Sequence, residues 1–248
     1  PTPTASETPP PRQRTVSEKN RPGLADEYGT VINLANAGAD STGSESIVPY
    51  LKKYAGDDTL LYLPQGRYLM DDWWKFSSVS NFGIYGDGAT IVPPHNDDDT
   101  PLFILGGNNT SDLHVEGLQF DFTAKNVGPS PIYAVARDGL LVRDVTVHGS
   151  SRKAVRFDVT DPDGTGRVER LRLPDGGLGE TPTGCYVGEH NRGTLTMADC
   201  HIEGYYGTGI YASNSTGKIR VIGGTYVNNG IANVRVGSGD LVRNVVVR

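Results

Sequence analysis

Cysteine is nearly absent. Two residues, Cys185 and Cys200, exclude a disulfide framework and cannot make a four-ligand zinc site. They read as buried thiols packing like small apolar side chains, or as a pair bonded only if their Cα atoms come within about 7 Å. Long hydrophobic runs are absent too. No stretch approaches the roughly 18–20 residues of a membrane span, so no membrane insertion is expected. Positive charge is in the minority. The 23 Lys+Arg against 29 Asp+Glu leave a formal net charge of −6, which argues against nucleic acid as a partner, since polyanions reward basic patches. Hydrophobic residues make up 36%, low for a helical protein of this size. What is plentiful is turn chemistry: 32 Gly and 16 Pro among 248 residues, the composition of a turn-rich β protein.

Residues 1–28 are rich in Pro, Thr, Ser and Glu and show no apolar period. They read as a disordered linker of the kind that follows a cleaved signal or lipid anchor, or as a frayed terminus. Residues 29–248 form the structured part, with 29–80 as an N-terminal cap and first coil. Within the cap, a strand is expected at Val31–Leu34 and a short helix at Ser44–Tyr54, with Pro49 in its first turn. The sequence "HNDDDT" at His95–Thr100 reads as a solvated loop, because adjacent aspartates on an extended chain cannot converge on one ion.

From Asn81 onward the chain repeats. One motif, an apolar residue, a small gap, then alternating apolar residues, starts at Ile84, Val115, Val142, Val168, Met197, Val221 and Val242. The starts are 31, 27, 26, 29, 24 and 21 residues apart. A second strand type lies between the copies: "IYAV" at Ile132, "VRF" at Val155, "CYV" at Cys185, "IYA" at Ile210 and "VRV" at Val234. Short strands at a period of 20–30 residues, separated by Gly/Asn/Asp turns, signify a solenoid whose coils bury their apolar faces by stacking. Two or three strands per coil suit a parallel β-helix. The short helix would cover its open N-terminal end. At the other end Val242, Val245 and Val247 form a coil with no cap after it. The expectation is that the polypeptide continues past Arg248, or that a partner subunit, as in a homo-oligomer, covers this end.

The series "GAD…TGSESI…LPQGRY…IYGDGATIVPP" resembles the N-terminal entry of the pectate-lyase-like superfamily of right-handed parallel β-helices. The resemblance spans about Asp40 to Arg248 and implies an all-β, right-handed parallel β-helix with a short N-terminal capping helix.

Alternate residues of a strand point to opposite sides. With Cys185, Val187, Ile210 and Ala212 inward, an outer row reads Tyr133, Arg156, Tyr186, Tyr211, Arg235. Two readings are open. Outer rows stack like on like to stabilise the sheet; alternatively, tyrosine faces stack on sugar rings while arginines pair with uronate or sulfate. As outward side chains, Arg156 and Tyr186 are expected to be removable with little change in stability.

The resemblance also frames the chemistry. Polygalacturonase-type members carry paired aspartates beside this strand, where this chain has Gly184 and Gly209, so that inverting hydrolysis is disfavoured. A lyase acting by β-elimination needs a base and a cation for the uronate carboxylate. Arg156, Tyr186, His190 and Arg235 are the catalytic candidates, and Tyr133, Arg156, Tyr186, Tyr211 and Arg235 the substrate-binding ones. Asp158, Asp161 and Asp163, clustered beside Gly164, suit Ca²⁺, or make an Asp/Pro/Gly turn capped by its own side chains. The expected protein is a secreted or surface β-helix whose partner is a polysaccharide. The competing class is a non-catalytic adhesin, envelope or tailspike-like module. Sequons at Asn108, Asn109 and Asn214 are too common to decide on export.

Overall fold

The computed structural model describes residues 21–94, 100–124, 129–151, 155–180 and 182–248. The linker residues 1–20 and the aspartate loop 95–99 lie outside the described residues. The chain winds as a parallel β-solenoid with three sheets, of nine, nine and seven strands. The first runs from Thr30–Asn33 to Leu241–Arg243, the second from Thr42–Ser46 to Val246–Val247, the third from Trp74–Phe76 to Ala232–Arg235. From Thr59 to Arg235 each coil visits the three sheets in that order, and each strand pairs in parallel with its equivalent one coil away.

The repeat is written in the register. Ile84, Val115, Val142, Val168, Met197, Val221 and Val242 occupy one inward row of the first sheet. Phe103, Ile132, Val155, Cys185, Ile210 and Val234 occupy one inward row of the third. Together with Phe120, Val147, Leu173 and Ile202 from the second sheet, these rows build a single continuous core. Cys185 and Cys200 are free thiols buried in it.

Each copy of the repeated motif is two strands rather than one. In "VRDVTV", Leu140–Arg143 belongs to the first sheet and Thr146–Gly149 to the second. The small gap is a corner, with Asp144 at φ 52°. Equivalent corners stand at Gly117, Arg170, Asp199, Gly223 and Asn244, all at positive φ. The left-handed conformation turns the chain within one residue and suits Gly, Asn and Asp. Stacked corners bond to one another. The amide of Asp144 donates to the Glu169 carbonyl at 3.1 Å. The Arg170 guanidinium clasps the Asp144 carboxylate through Nε–Oδ1 at 2.6 Å and Nη2–Oδ2 at 2.8 Å.

Two expectations at the N-terminus are corrected. The helix begins at Val48 and ends at Tyr54, with Pro49 in its first turn, while residues 42–46 form a strand beside Gly66–Leu69. The strand is bulged between Thr42 and Ser46, with Gly43 at φ 85°, and curls around Asp40, whose carboxylate accepts the amides of Thr42, Ser44 and Glu45. The helix lies against the strand at Trp74 and covers the first coils. The segment 21–28, assigned above to the linker, packs on the body: Leu24 and Tyr28 are buried against Leu60, Tyr62 and Tyr85. At the other end the inward side chains of the last coil meet no further coil, and Val242 and Val247 are 40% and 53% exposed.

Candidate functional site

The outer row of the third sheet is a continuous column. Lys75, Ile104, Tyr133, Arg156, Tyr186, Tyr211 and Arg235 pair in register, one per coil. Parallel pairing leaves neighbouring side chains about 4.8 Å apart, a spacing at which flat groups touch face to face. The Arg156 guanidinium lies 4.9 Å from the Tyr133 ring centre and 5.1 Å from that of Tyr186. Tyr186 and Tyr211 have ring centres 5.7 Å apart with planes at 30°. Arg235 covers Tyr211 at 4.8 Å. The arginines therefore extend the aromatic stack through cation–π contacts.

The two arginines differ in freedom. Arg156 Nε donates to Asp158 Oδ2 at 2.7 Å, and Asp158 is wholly buried. The other Asp158 oxygen accepts the Gly188 amide at 2.9 Å. Burial lowers the Arg156 pKa, but the hydrogen bond and charge of Asp158 outweigh it and hold the guanidinium more firmly protonated than usual. Gly188 is required by close approach, since a Cβ there would stand 2.6 Å from Arg156 Nη2 and 2.9 Å from the Tyr186 ring. Arg235 is exposed and has no ion pair among the described residues. Burial raises the Tyr133 pKa despite the lowering influence of Arg156, so this phenol is a poor base.

Beside the column lies a cleft of about 400 Å³. Its walls come from the turns that lead from the third sheet back to the first in four successive coils: Asn108, then Arg137, then Asp161, then Glu189, His190 and Arg192. The column and cleft join at Tyr186, whose hydroxyl donates to Glu189 Oε2 at 3.4 Å. His190 Nε2 lies 3.7 Å from the other Glu189 oxygen. The bond from its own amide, together with Arg156 and His190, holds the Glu189 carboxyl below the usual range. Glu189 is thus an ionised acceptor rather than a proton donor near neutral pH.

Of the sequence candidates, the structure brings Tyr133, Arg156, Tyr186, Tyr211 and Arg235 into one column and sets His190 in the adjoining cleft. It does not bring the three aspartates together. Asp158 faces Arg156 and Gly188; Asp161 accepts the Asp163 amide at 3.0 Å and lies 3.4 Å from Arg137 Nε. This is the self-capped turn, and among the described residues no group of three or more His, Cys, Asp or Glu is placed to hold a metal ion. The sequence reading missed Arg137, Glu189 and Arg192. Their signal was positional: each follows the outward residue of its coil by three to six places, as Asn214 follows Tyr211, whose hydroxyl it accepts at 3.5 Å.

The chain matches no protein-family model, no curated protein and no solved structure.

Proposed function

We propose that this chain is a secreted or surface β-helix of the pectate-lyase-like type that binds polysaccharide on the outer face of its third sheet. The observation that supports this most is the column itself. Tyr133, Tyr186 and Tyr211 present phenol rings at the strand repeat, with guanidiniums continuing the stack. Aromatic faces take the C–H faces of sugar rings, and hydroxyl and guanidinium groups at their edges take sugar hydroxyls. The cleft adds charged and amide groups of both donor and acceptor kind beside the same rings.

The lyase reading draws on one further feature. Tyr186 and His190 both meet Glu189, at the edge of a cleft that also holds Arg137 and Arg192. β-Elimination from a uronate needs a proton acceptor on one side and cations for the carboxylate on the other. In this cleft the cation is Arg192, which has no ion pair among the described residues, whereas Arg156 is paired with Asp158 and Arg137 with Asp161. The competing reading, a non-catalytic adhesin, envelope or tailspike-like module, uses the column alone.

A glycan array followed by ultraviolet absorbance of the bound candidates tests these readings. Binding with growth of an unsaturated-uronate band supports the lyase. Binding without it supports the module. No binding to any acidic or neutral polysaccharide contradicts both.

A further inference from the structure

The outer face of the first sheet carries a second group of chemistry-bearing side chains. Residues 21–28 cross it as a strap containing one short 3-10 turn, Leu24–Glu27. Beneath the strap, Tyr62 and Tyr85 stack with ring centres 5.8 Å apart and planes at 17°, forming a shelf on which Tyr28 packs. Gly83 leaves the hollow: a Cβ there would stand 2.5 Å from the Tyr28 hydroxyl and 2.8 Å from a Leu60 methyl. At the end of the hollow the Tyr28 hydroxyl meets His114 Nδ1 at 3.1 Å, and His114 Nε2 meets Glu116 Oε2 at 2.8 Å. Arg21 Nε reaches the other Glu116 oxygen at 2.8 Å. The His114 and Glu116 side chains are only 7% and 5% exposed.

A strap can be held on a sheet by apolar contacts alone, and burying a carboxylate and an imidazole under it is the costlier solution. Buried charged groups at the closed end of an aromatic shelf are the composition of a ligand seat. Tyr28 occupies that seat as a ligand would, ring on the shelf and hydroxyl on His114. Burial, with Glu27 and Glu116 nearby, pushes its phenol well up, so the seat holds a neutral hydroxyl.

The strap is also built to leave. Gly23, at φ 79°, and Gly29 flank its Leu24–Tyr28 part. Its carbonyl at Glu27 accepts the Asn81 side-chain amide at 2.9 Å, but regular bonding to the neighbouring strand begins only at Thr30, whose amide donates to Asp58. Segments held by side chains, outside the backbone ladder, open far below the global unfolding free energy.

We propose that residues 21–28 are a latch over a second binding site, which takes a hydroxyl-bearing ring. The incoming ring replaces Tyr28 on the Tyr62–Tyr85 shelf, and its hydroxyl replaces the Tyr28 phenol at His114. This site lies on a different sheet from the glycan column and stands independently of that reading.

The test is carbethoxylation of histidines by diethyl pyrocarbonate in the full 248-residue chain, read by peptide mass spectrometry, with His148, exposed on the second sheet, as the internal reference. In the parent chain His114 should react far more slowly than His148. Tyr28→Ala should speed His114 by about tenfold or more while leaving His148 unchanged. Added p-cresol or methyl β-glucopyranoside should slow it again, the first identifying a phenolic and the second a sugar ligand. Tyr28→Phe, which keeps the ring and loses the hydroxyl, should fall between, and carries the test by the same readings should Tyr28→Ala lose its cooperative melt. Unchanged His114 protection in the variants overturns the latch. Fast modification that neither probe slows overturns the seat.

Discussion

Tyr186 and Tyr211 occupy equivalent positions on adjacent strands of the third sheet, and their rings touch along the coil axis at 5.7 Å between centres. The 25-residue interval between their Thr-Gly-x-Tyr segments is therefore one turn of the solenoid. Because both rings are half-buried by their neighbours while one edge faces solvent, they are held rigid at little entropic cost to a ligand. Replacing either by Ala should weaken glycan binding about tenfold or more. Unfolding free energy should change by no more than about 1 kcal/mol. Titration calorimetry and thermal melts on the same samples separate the two effects.

Arg156 should behave differently, and against the expectation from its outward position. Arg156→Ala leaves the buried Asp158 carboxylate without its 2.7 Å partner. Stranding a buried charged acceptor costs about 1–3 kcal/mol or more. Arg235→Ala, at an exposed position with no such partner, should leave the melt nearly unchanged. Equal melts for the two variants would show that Asp158 does not depend on Arg156.

The core should respond on a larger scale. Phe157, adjacent to Arg156 but pointing inward and fully buried, should cost about 3–5 kcal/mol when cut to Ala. Denaturant titration would read this as a lower midpoint with an unchanged slope.

Protection along the solenoid should be uneven. The strand Thr194–Ala198 has bonded neighbours on both sides, whereas Leu241–Arg243 has one neighbour and exposed inward side chains. Hydrogen exchange on the 248-residue chain should find the Leu241–Arg243 amides among the least protected of the first sheet and those of Thr194–Ala198 near the global limit.

The strap clasp should loosen in acid. Burial raises the Glu116 pKa, but the hydrogen bond and charge of His114, with Arg21 from the strap and Arg143 from the next strand, outweigh it and hold the carboxyl below the usual range. Tyr28 and Tyr85 also face it. A carboxyl depressed in the folded state contributes stability that is complete above its unfolded pKa, about 4.3, and is lost as pH falls through the lower folded value. Exchange at Leu24–Tyr28, corrected for its intrinsic pH dependence, should therefore quicken below about pH 4. Glu116→Gln should show the quickening already at neutral pH and lose the acid step.

How much of this was legible beforehand follows from periodicity. The inward row from Ile84 to Val242 and the outer row from Tyr133 to Arg235 could be read because strand alternation has a period of two and coil stacking repeats it. The small gap at Asp144 does not announce a corner, since a single left-handed residue is too short to tell a turn between two strands from a pause within one. Residues 44–46 read as helix because the Asp40 carboxylate that draws them into a bulged strand acts through backbone amides, which composition does not record. Arg156 and Asp158 lie two apart in one strand and so share its outer face, but the grouping of Asp158 with Asp161 and Asp163 as one acidic turn drew attention away from that pairing. Arg137, Glu189 and Arg192 sit in turns of unequal length, so no fixed spacing announces the cleft. Tyr28 lay in a stretch whose composition is that of a linker, and its partner His114 is 86 residues away.

The central claim is that the third sheet's outer column is the glycan-binding face. Hydrogen exchange of the chain with and without a bound oligosaccharide tests it most directly, using a ligand identified on the array. New protection should be confined to Ile132–Arg137, Val155–Asp161, Cys185–Arg192 and Thr208–Asn214. Protection confined to the first or second sheet by a glycan that demonstrably binds would contradict it.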